Sequence, residues 1–331
     1  MTTSVRLGIL STAHLHADVY APLLSELDGV EFVGIAGNDT ERGQQFAVEH
    51  ETSYESIDTL LDLADGVIIC SSNADHHWWA ERAAKAGVDV LSEKPLGRSV
   101  DEARAVVDTC TDAGVTLGVA MPLRFSRPVQ EAKSELDAGR VGDIQAVSGT
   151  NRGKMPGDWF VDPEQSGGGA VMDHTVHIVD LVHWLTDERV AEVYAETATR
   201  FYDLPVEDIN LLSMTLTDGT QFSLDGSWSR PENADRWGDA TVEFFGTDAN
   251  VAVDCFAQSF RHIDDRDESA GIHSVFWGDN ANKGMLADFA DAVREGHTPQ
   301  TTGQEGVDAV AVTEAAYESA ERGEAVKVNY K

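Results

Sequence analysis

The first 120 residues alternate short apolar runs with segments of helical periodicity, and this alternation limits the possible folds more than any other feature. Strands joined by helices in this way pair in parallel through right-handed crossovers. We therefore expect a doubly wound α/β sheet with a ligand cleft over the carboxyl ends of its strands. The predicted strands are Val5–Leu10, Glu31–Ala36, Gly66–Cys70, Val88–Leu91 and Val115–Ala120, and the predicted helices are one ending at Leu24, Thr40–His50, Ser56–Leu63, His76–Ala86 and Val100–Ala113.

From Met121 onward the rhythm changes to strands separated by turn signals such as Thr217-Asp218-Gly219. Such turns favour hairpins, so we expect an open, mostly antiparallel sheet in an α+β domain. The predicted division is residues 1–120 and 121–331, with the last helix packing back on the first domain. The predicted helices are Pro128–Ala138, Gly168–Leu185 and Glu305–Arg322, and the predicted strands are Ile144–Thr150, Val190–Arg200, Ile209–Leu216, Gln221–Trp228 and Ala240–Gly246.

The chain is strongly acidic, with 58 Asp and Glu against 24 Lys and Arg and a net charge of −34. A chain with this charge repels nucleic acid and anionic lipid, so we exclude both as partners. Because the acidic residues are spread along amphipathic helices, they do not form a disordered tail. Molar salt screens such self-repulsion within about 3 Å, so we expect a salt-adapted, haloarchaeal-type host.

Cysteine usage and hydropathy point to a cytoplasmic protein. The cysteines Cys70, Cys110 and Cys255 share no short spacing, which is typical of neither a disulfide framework nor a thiolate metal site. No apolar run approaches the ~18 residues that a membrane span needs, and the beginning MTTSVRLGIL lacks a leader pattern. We expect neither a signal peptide nor a membrane span.

The stretch Val90–Gly97, with sequence VLSEKPLG, predicts a buried strand that delivers a lysine at its carboxyl end. Pro95 fixes its own φ, so Lys94 stands on a stiff turn at the edge where α/β sheets hold ligands. A lysine held in this way can polarise a substrate oxygen.

The turn after the first strand has the position of a dinucleotide-binding turn but not its glycines. Ser11, Ala13 and His16 stand where the fingerprint G-x-G-x-x-G has glycine. Ser and Ala keep the turn small and leave backbone N–H groups and the helix dipole available to an anion. The turn by itself leaves cofactor binding open, and residues 1–120 are the candidate Rossmann-type dinucleotide-binding domain.

The end of the second strand bears on the choice between NAD and NADP. Gly37 occupies the place of the acidic residue that usually accepts the ribose hydroxyls of NAD. Because Gly37 has no carboxylate, it does not repel the 2′-phosphate of NADP, and the cationic Arg42 follows one turn later. Asp39 and Glu41 restore some of that repulsion. The sequence leaves both cofactors open.

A glycine-rich run opens the helix that carries Asp173 and His177. Residues four apart share one helical face, so this carboxylate and imidazole can form a general base. The competing interpretation is a metal site that adds His174 or His183, but these side chains point in different directions around the helix. We predict no metal, and His14, His16, His76 and His77 are predicted to be cleft-lining and helix-start residues.

With these motifs in place, the chain resembles the Gfo/Idh/MocA family of NAD(P)-dependent sugar and polyol oxidoreductases along essentially its whole length. The combination of E-K-P with GG…D…H in this order is specific. The family motif P-N-x-x-H has Ser72 in place of its proline. The matching segments are Ser72-Asn73-Ala74-Asp75-His76, Glu93-Lys94-Pro95, Arg124-Phe125, Gly167-Gly168-Gly169 with Asp173 and His177, Val242–Thr247 and the closing helix.

The resemblance implies that Lys94, Asp173 and His177 form the catalytic group and that the peptide bond before Pro95 is cis. It also implies that the open face of the second sheet joins copies into a homo-oligomer, a dimer or tetramer. The predicted cofactor contacts are Ser11, Thr12, Ala13, His14, His16, Gly37, Asn38, Arg42, Ser71, Ser72, Asn73, His76, Glu93 and Lys94. The predicted substrate contacts are Lys94, Arg124, Arg152, Trp159, Asp173 and His177, with Asn151 and Lys154 beside them.

The predicted function is hydride transfer between NAD or NADP and a hydroxyl-bearing carbon of a sugar, inositol or related polyol. In this prediction His177 takes the hydroxyl proton, Lys94 stabilises the alkoxide charge and Asp173 orients the substrate hydroxyls and the imidazole. One alternative is a redox-neutral lyase, epimerase or aldose-aldose exchanger with trapped cofactor. Another, motivated by the missing glycines, is a non-catalytic sensor.

Overall fold

The computed structural model describes residues 4–331 apart from 235–236, 257–258, 265–270 and 277–279, and the side chains of 259–264 and 271–276 are also outside the description. The chain packs as two compact units. The first comprises Met1–Pro122 and Asn282–Val307, and the second comprises Leu123–Ala281 and Asp308–Lys331. The sequence pattern placed all of 121–331 in the second domain, whereas Asn282–Val307 pack with the first unit.

The first unit is built on a parallel sheet of five strands in the order β2-β1-β3-β4-β5, as the alternating pattern predicted. Its central strands are buried along their length because helices cover both faces. The strands are β1 (Val5–Leu10), β2 (Val30–Ala36), β3 (Gly66–Ile69), β4 (Asp89–Ser92) and β5 (Leu117–Val119), and the helices are α1 (His16–Glu26), α2 (Thr40–Glu49), α3 (Ile57–Leu63), α4 (His76–Ala86) and α5 (Val100–Ala113).

Local signals explain where these helices begin and end. Asp39, Ser56 and Ser99 accept hydrogen bonds from backbone N–H groups in the first turns of α2, α3 and α5. Gly87 and Gly114 end α4 and α5 in the left-handed region, with φ of 73° and 70°. These caps set the short turns that return the chain to β4 and β5.

The second unit is built on a nine-stranded, mostly antiparallel sheet in the order β13-β12-β11-β10-β6-β9-β8-β7-β14. The pair β6 and β9 is parallel, and the other neighbours are antiparallel. The strands are β6 (Ile144–Thr150), β7 (Val190–Ala198), β8 (Ile209–Leu216), β9 (Gln221–Asp225), β10 (Thr241–Gly246), β11 (Ala249–Asp254), β12 (Ser259–Asp264), β13 (Gly271–Phe276) and β14 (Val326–Lys327). The helices from residue 123 onward are α6 (Arg127–Asp137), α7 (Pro163–Ser166), α8 (Ala170–Thr186), α9 (Ala281–Glu295) and α10 (Gly303–Arg322).

Four strands and one long helix lie outside the elements that the sequence pattern predicted. β11, β12 and β13 extend the sheet edge as a meander, β14 adds two residues beside β7, and α9 packs in the first unit. The last helix is divided between the units. Gly303 lies against Leu117 in the first unit, whereas Val312 and Ala316 belong to the apolar core of the second. The start of α10 therefore belongs to the first unit and the rest to the second, and the predicted packing of the whole helix on the first domain stays a prediction.

The glycine run before α8 permits close packing at the helix start, as the sequence analysis expected. A Cβ on Gly168 would collide with the Tyr317 hydroxyl, and a Cβ on Gly169 would collide with the Glu207 backbone carbonyl. The Glu207 carboxylate accepts hydrogen bonds from the backbone N–H groups of Gly169 and Val171, at 3.1 and 2.9 Å, and from the Tyr317 hydroxyl at 2.9 Å. A carboxylate at the amino end of a helix satisfies its unpaired N–H groups.

In the part of the chain that is described, every helix is too short or too polar to span a bilayer.

We predict that Gly169→Ala lowers the free energy of unfolding by about 3 kcal/mol, because the added methyl group overpacks against backbone that cannot turn away. Gly139→Ala is the matched control, since Gly139 has φ of +66° but open space around it, and left-handed strain alone costs about 1 kcal/mol. Equilibrium denaturation measures both. Equal losses in the two variants would contradict the close-approach explanation.

Candidate functional site

Lys94 lies at the carboxyl edge of the parallel sheet, two residues after β4 ends. The Lys94–Pro95 peptide bond is cis, as the resemblance implied. Glu93 is fully buried and Lys94 is 4% exposed. The structure thus places the predicted lysine on a buried turn at the ligand-binding edge of the sheet.

The Glu93 carboxylate collects donors from the turn after β1 and from α1. The Tyr20 hydroxyl donates to Glu93 Oε1 at 2.6 Å, and His16 Nδ1 lies 2.9 Å from the same oxygen. His14 Nε2 lies 3.7 Å from Glu93 Oε2, and the Lys94 backbone N–H donates to that oxygen at 3.2 Å. The carboxylate therefore ties the phosphate-binding turn to the strand end that carries Lys94.

These contacts keep Glu93 ionised. Burial raises the pKa of a carboxyl group, but the electrostatic attraction of His14 and His16 and the hydrogen bond with His16 outweigh burial and hold the pKa of Glu93 well below its usual range. Burial beside this carboxylate also raises the pKa of Tyr20, so the phenol remains a donor. An anion with this many donors costs little to bury.

The turn Ser11–Leu15 keeps the compact shape of a dinucleotide-binding turn without its glycines. Ser11 adopts φ of 68°, the left-handed conformation that glycine usually supplies. The Ser11 hydroxyl accepts from the Ala13 N–H at 3.2 Å, and the His14 N–H donates to the Cys70 carbonyl at 2.9 Å. Thr12 and His14 are buried, and His16 is the first residue of α1.

His14, His16 and Glu93 bring potential metal-ligand atoms within 4.8 Å of one another. Hydrogen bonding accounts for this cluster without an ion. The His16 backbone N–H donates to His14 Nδ1 at 3.1 Å, so a neutral His14 carries its proton on Nε2, the nitrogen that faces Glu93. A metal-bound histidine normally keeps its other ring nitrogen protonated, which this contact opposes. Absence of a metal at this site stays a prediction.

The end of β2 lies beside the turn. The position of a Cβ on Gly37 is 3.6 Å from Ser11 Cα, so this residue borders the turn directly. The Asp39 side chain caps α2 by accepting from the Arg42 N–H at 3.0 Å. Asn38, Asp39 and Arg42 are all exposed.

The segment after β3 completes the edge of the sheet. Ser71, Ser72, Asn73 and His76 are all buried, and His76 begins α4 as predicted. Burial lowers the pKa of His76, so its imidazole is neutral. Every predicted cofactor residue outside Arg42 and the end of β2 is thus gathered at the carboxyl ends of β1, β3 and β4.

In the second unit, α8 is buried at every position from Ala170 to Val182 except His177, which is partly exposed. A partly exposed imidazole on this otherwise buried stretch of helix is available to a ligand. The sequence analysis paired this histidine with Asp173. Asp173 also contacts His174 Nε2 at 3.2 Å and accepts from the Trp228 indole N–H at 3.1 Å.

The predicted substrate residues Arg124 and Arg152 both hold aspartates. Arg124 is 1% exposed and donates to both oxygens of Asp180 at 2.8 and 2.5 Å. Arg152 is 41% exposed at its side chain and shares Asp239 with Arg230. The burial of Arg124 favours a supporting role.

Three other predicted side chains lie nearby in sequence. Trp159 stacks on Phe160 with ring centroids 3.9 Å apart, Asn151 donates from its amide to the Asp239 carbonyl at 2.7 Å, and Lys154 is partly exposed. The substrate role of all five residues stays a prediction.

The sequence pattern did not predict four residues that contact the predicted ones, namely Tyr20, Asp180, Trp228 and Asp239. Tyr20 lies one turn after His16 on α1, and Asp180 lies two turns after Asp173 on α8, so helical spacing was an available signal for these two. Trp228 and Asp239 contact residues that are far away in the sequence, so spacing gave no signal for these two.

His183, considered above as a metal ligand, has a structural role. The Val190 N–H donates to His183 Nε2 at 3.1 Å, and burial together with Arg189 and Arg124 lowers the pKa of His183 to about 3.

We predict that Glu93→Ala lowers the free energy of unfolding by about 3 kcal/mol at neutral pH, because buried donors lose their shared acceptor. Because the pKa of Glu93 is depressed in the folded state, the difference from the parent protein begins to shrink as the pH falls below about 4, the ordinary carboxyl pKa, and goes on shrinking towards the lower folded pKa. Denaturation at several pH values measures this. Glu81→Ala, which removes an exposed pair with Lys85 on α4, is the control and has little effect. A pH-independent difference would contradict the ionised assignment.

Sequence models of one family match both units. The model described as the oxidoreductase family with an NAD-binding Rossmann fold matches residues 6–121, and that of the GFO/IDH/MocA C-terminal domain matches residues 129–252. Among solved structures, levoglucosan dehydrogenase in complex with NADH and levoglucosan has a TM-score of 0.90 at 20% identity over 99% of this chain and all of that chain. This likeness supports the fold.

Relatives cover the whole chain. A D-xylose 1-dehydrogenase (NADP(+)) of Haloferax volcanii is 30% identical over 97% of this chain and 99% of its own length. An inositol 2-dehydrogenase of Rhizobium meliloti is 25% identical over 96% and 97%. The chain therefore belongs to the Gfo/Idh/MocA family of NAD(P)-dependent oxidoreductases, and its first unit contains the family's NAD-binding Rossmann fold.

Proposed function

We propose that the chain oxidises a hydroxyl-bearing carbon of a sugar or polyol, with an aldose such as D-xylose as the first candidate substrate. The observation that carries this proposal is Lys94, buried at the carboxyl edge of the parallel sheet beside an ionised Glu93. The names of the relatives support a sugar or an inositol as the substrate class.

The residues of the first unit fit a dinucleotide. Ser11 supplies the left-handed turn in place of glycine, and α1 begins directly after that turn, so its amino end can face a diphosphate. The glycine at the end of β2 leaves room beside the turn. The residues that would hold the cofactor are Ser11, Thr12, Ala13, His14, His16, Gly37, Asn38, Arg42, Ser71, Ser72, Asn73, His76, Glu93 and Lys94.

Three side chains of the chain would perform the proton chemistry. A bound nicotinamide supplies the hydride acceptor. His177, the partly exposed imidazole of α8, takes the proton of the substrate hydroxyl on a ring nitrogen. The Lys94 ammonium stabilises the negative charge that develops on the substrate oxygen. Asp173, held by His174 and Trp228, orients the substrate hydroxyls.

We predict that the protein oxidises aldoses or inositol with NAD or NADP in molar KCl, measured as nicotinamide absorbance. Lys94→Met lowers kcat/KM about 10²–10³-fold by removing the charge that stabilises the oxyanion. His177→Asn lowers it about 10²–10⁴-fold by removing the base. Lys85→Met changes an exposed lysine of α4 and leaves the rate unchanged.

Unchanged turnover in the Lys94 variant would contradict the catalytic assignment and favour the sensor alternative. Nucleotide released only on denaturation, without net reduction of added cofactor, would favour the redox-neutral alternative.

We also propose that NADP is preferred over NAD. Gly37 offers no carboxylate to ribose hydroxyls, the Asp39 carboxylate caps α2, and the exposed Arg42 follows within that helix. The relative from Haloferax volcanii is likewise named for NADP(+). A guanidinium near the end of β2 can pair with a 2′-phosphate.

We predict that Arg42→Gln weakens NADPH binding about tenfold, the loss of roughly 1.4 kcal/mol expected for one charge-assisted contact, and leaves NADH binding unchanged. Nicotinamide fluorescence titration measures both. Arg127→Gln, at an exposed arginine of α6 paired with Glu131, is the matched control. Equal effects on the two cofactors would rule out a contact between Arg42 and the 2′-phosphate.

We make three broader proposals, on the host, on the assembly and on the roles of the domains. The charge of −34 fits a salt-adapted cytoplasm. Tyr194 on β7 and Leu211 on β8 are exposed, at 38% and 52%, and we propose that this sheet face joins copies of the chain into a dimer or tetramer. We propose that residues 1–120, together with Asn282–Val307 of the same unit, form the cofactor domain, and that the rest of 121–331 forms the substrate and oligomerisation domain.

A further inference from the structure

His174 lies between two oxygen atoms in the second unit. Its Nδ1 is 2.9 Å from the Gly226 carbonyl oxygen, and its Nε2 is 3.2 Å from Asp173 Oδ2. The side chain is 7% exposed. Turning the ring over would set carbon atoms against both oxygens, so the two contacts define its orientation.

The two contacts of His174 need one proton more than a neutral imidazole and an ionised carboxylate carry together. A carbonyl oxygen only accepts, so Nδ1 must carry a proton. A neutral imidazole would then turn the Nε2 lone pair towards a carboxylate that also only accepts. The contact at Nε2 therefore needs a second proton between the two groups.

The hydrogen bond from Trp228 bears on which of the two groups, Asp173 or His174, holds that proton. The Trp228 indole N–H donates to Asp173 Oδ2 at 3.1 Å, the same oxygen that faces His174. A hydrogen bond to a carboxylate favours the ionised form. This contact favours Asp173 as the anion and His174 as the cation.

We propose that His174 is a positioning residue, held as an imidazolium that neutralises Asp173 at the start of α8. This goes beyond the roles of Lys94, Asp173 and His177 and rests on the proposed function only for its kinetic consequence. Because His174 offsets the charge of Asp173, the base His177, four residues along the same helix, does not face an uncompensated anion. The pair therefore sets the pH range in which His177 is free to accept a proton.

Asp173, Gly153, Gly226 and Trp228 lie against the His174 side chain. Gly153 packs on the ring, where a Cβ would be 2.6 Å from His174 Cε1, and Gly226 and Trp228 contribute a carbonyl and an indole. Arg152, next to Gly153, directs its guanidinium to Asp239. The lack of a side chain at Gly153 is what lets the ring lie in this position.

The protonation state is tested directly by ¹⁵N NMR of the full chain labelled with [¹⁵N]histidine, which requires no turnover. We expect a histidine whose two ring nitrogens are both protonated at pH 8, and whose signals vanish in His174→Gln or, if that variant does not fold, in His174→Asn. If the signals that vanish belong to a singly protonated ring, the proposal is wrong.

The kinetic consequence is tested by the pH profile of kcat/KM. His174→Gln keeps an amide donor beside Asp173 but removes the positive charge, so the uncompensated carboxylate holds a proton on the base. The acidic limb should then move to higher pH by about one unit. Trp228→Phe removes a donor from the same oxygen without changing charge, and its limb should stay in place.

Equal shifts in both variants, or none in His174→Gln, would overturn the positioning role. If the parent protein oxidises no sugar, the proposed function fails, and the NMR result still decides the state of His174.

Discussion

The hydrogen-bonded carboxylate of Glu93 is the interaction on which the first unit's ligand edge depends. It is fully buried, yet donors from the β1 turn, from α1 and from the backbone of Lys94 surround it. An unpaired carboxylate in this position would cost several kcal/mol. Its network thus fixes the lysine and the phosphate-binding turn relative to each other within one unit.

The same network holds the compact turn after β1 in a chain that lacks the usual glycines. In the usual fingerprint, glycines give the tight turn and the close approach of the helix. Here Ser11 adopts the left-handed conformation itself, the His16 N–H donates to His14 Nδ1, and both imidazoles lie beside the Glu93 carboxylate. Packing and hydrogen bonds around the turn thus take the place of the glycines. The features that fit a dinucleotide are kept.

In the second unit, hydrogen-bonded side chains likewise fix the backbone at the start of α8. Glu207 and Tyr317 close over Gly168 and Gly169, so the glycines have a packing reason independent of catalysis. Directly behind them, Asp173 is held by His174 and Trp228, and His177 remains partly exposed. A rigid helix start thus carries a paired acid and an accessible imidazole one turn apart.

The sequence by itself determined the parallel sheet, the position of Lys94 at a strand end and the helix carrying Asp173 and His177. These follow from local periodicity, from the fixed φ of proline and from the spacing of residues along one helix. The pattern did not find the meander β11–β13 or the return of Asn282–Val307 to the first unit.

Only the tertiary structure decided which groups each side chain meets. Glu93 is more than seventy residues from Tyr20 and His16, and Asp173 is 55 residues from Trp228. Spacing along α8 placed Asp173 and His177 on one helical face, and the fold adds Trp228 and His174 as partners of Asp173 and the Gly226 carbonyl as a partner of His174. Hydrogen-bond partners separated by this much chain depend on how strands and helices pack, which no local pattern encodes.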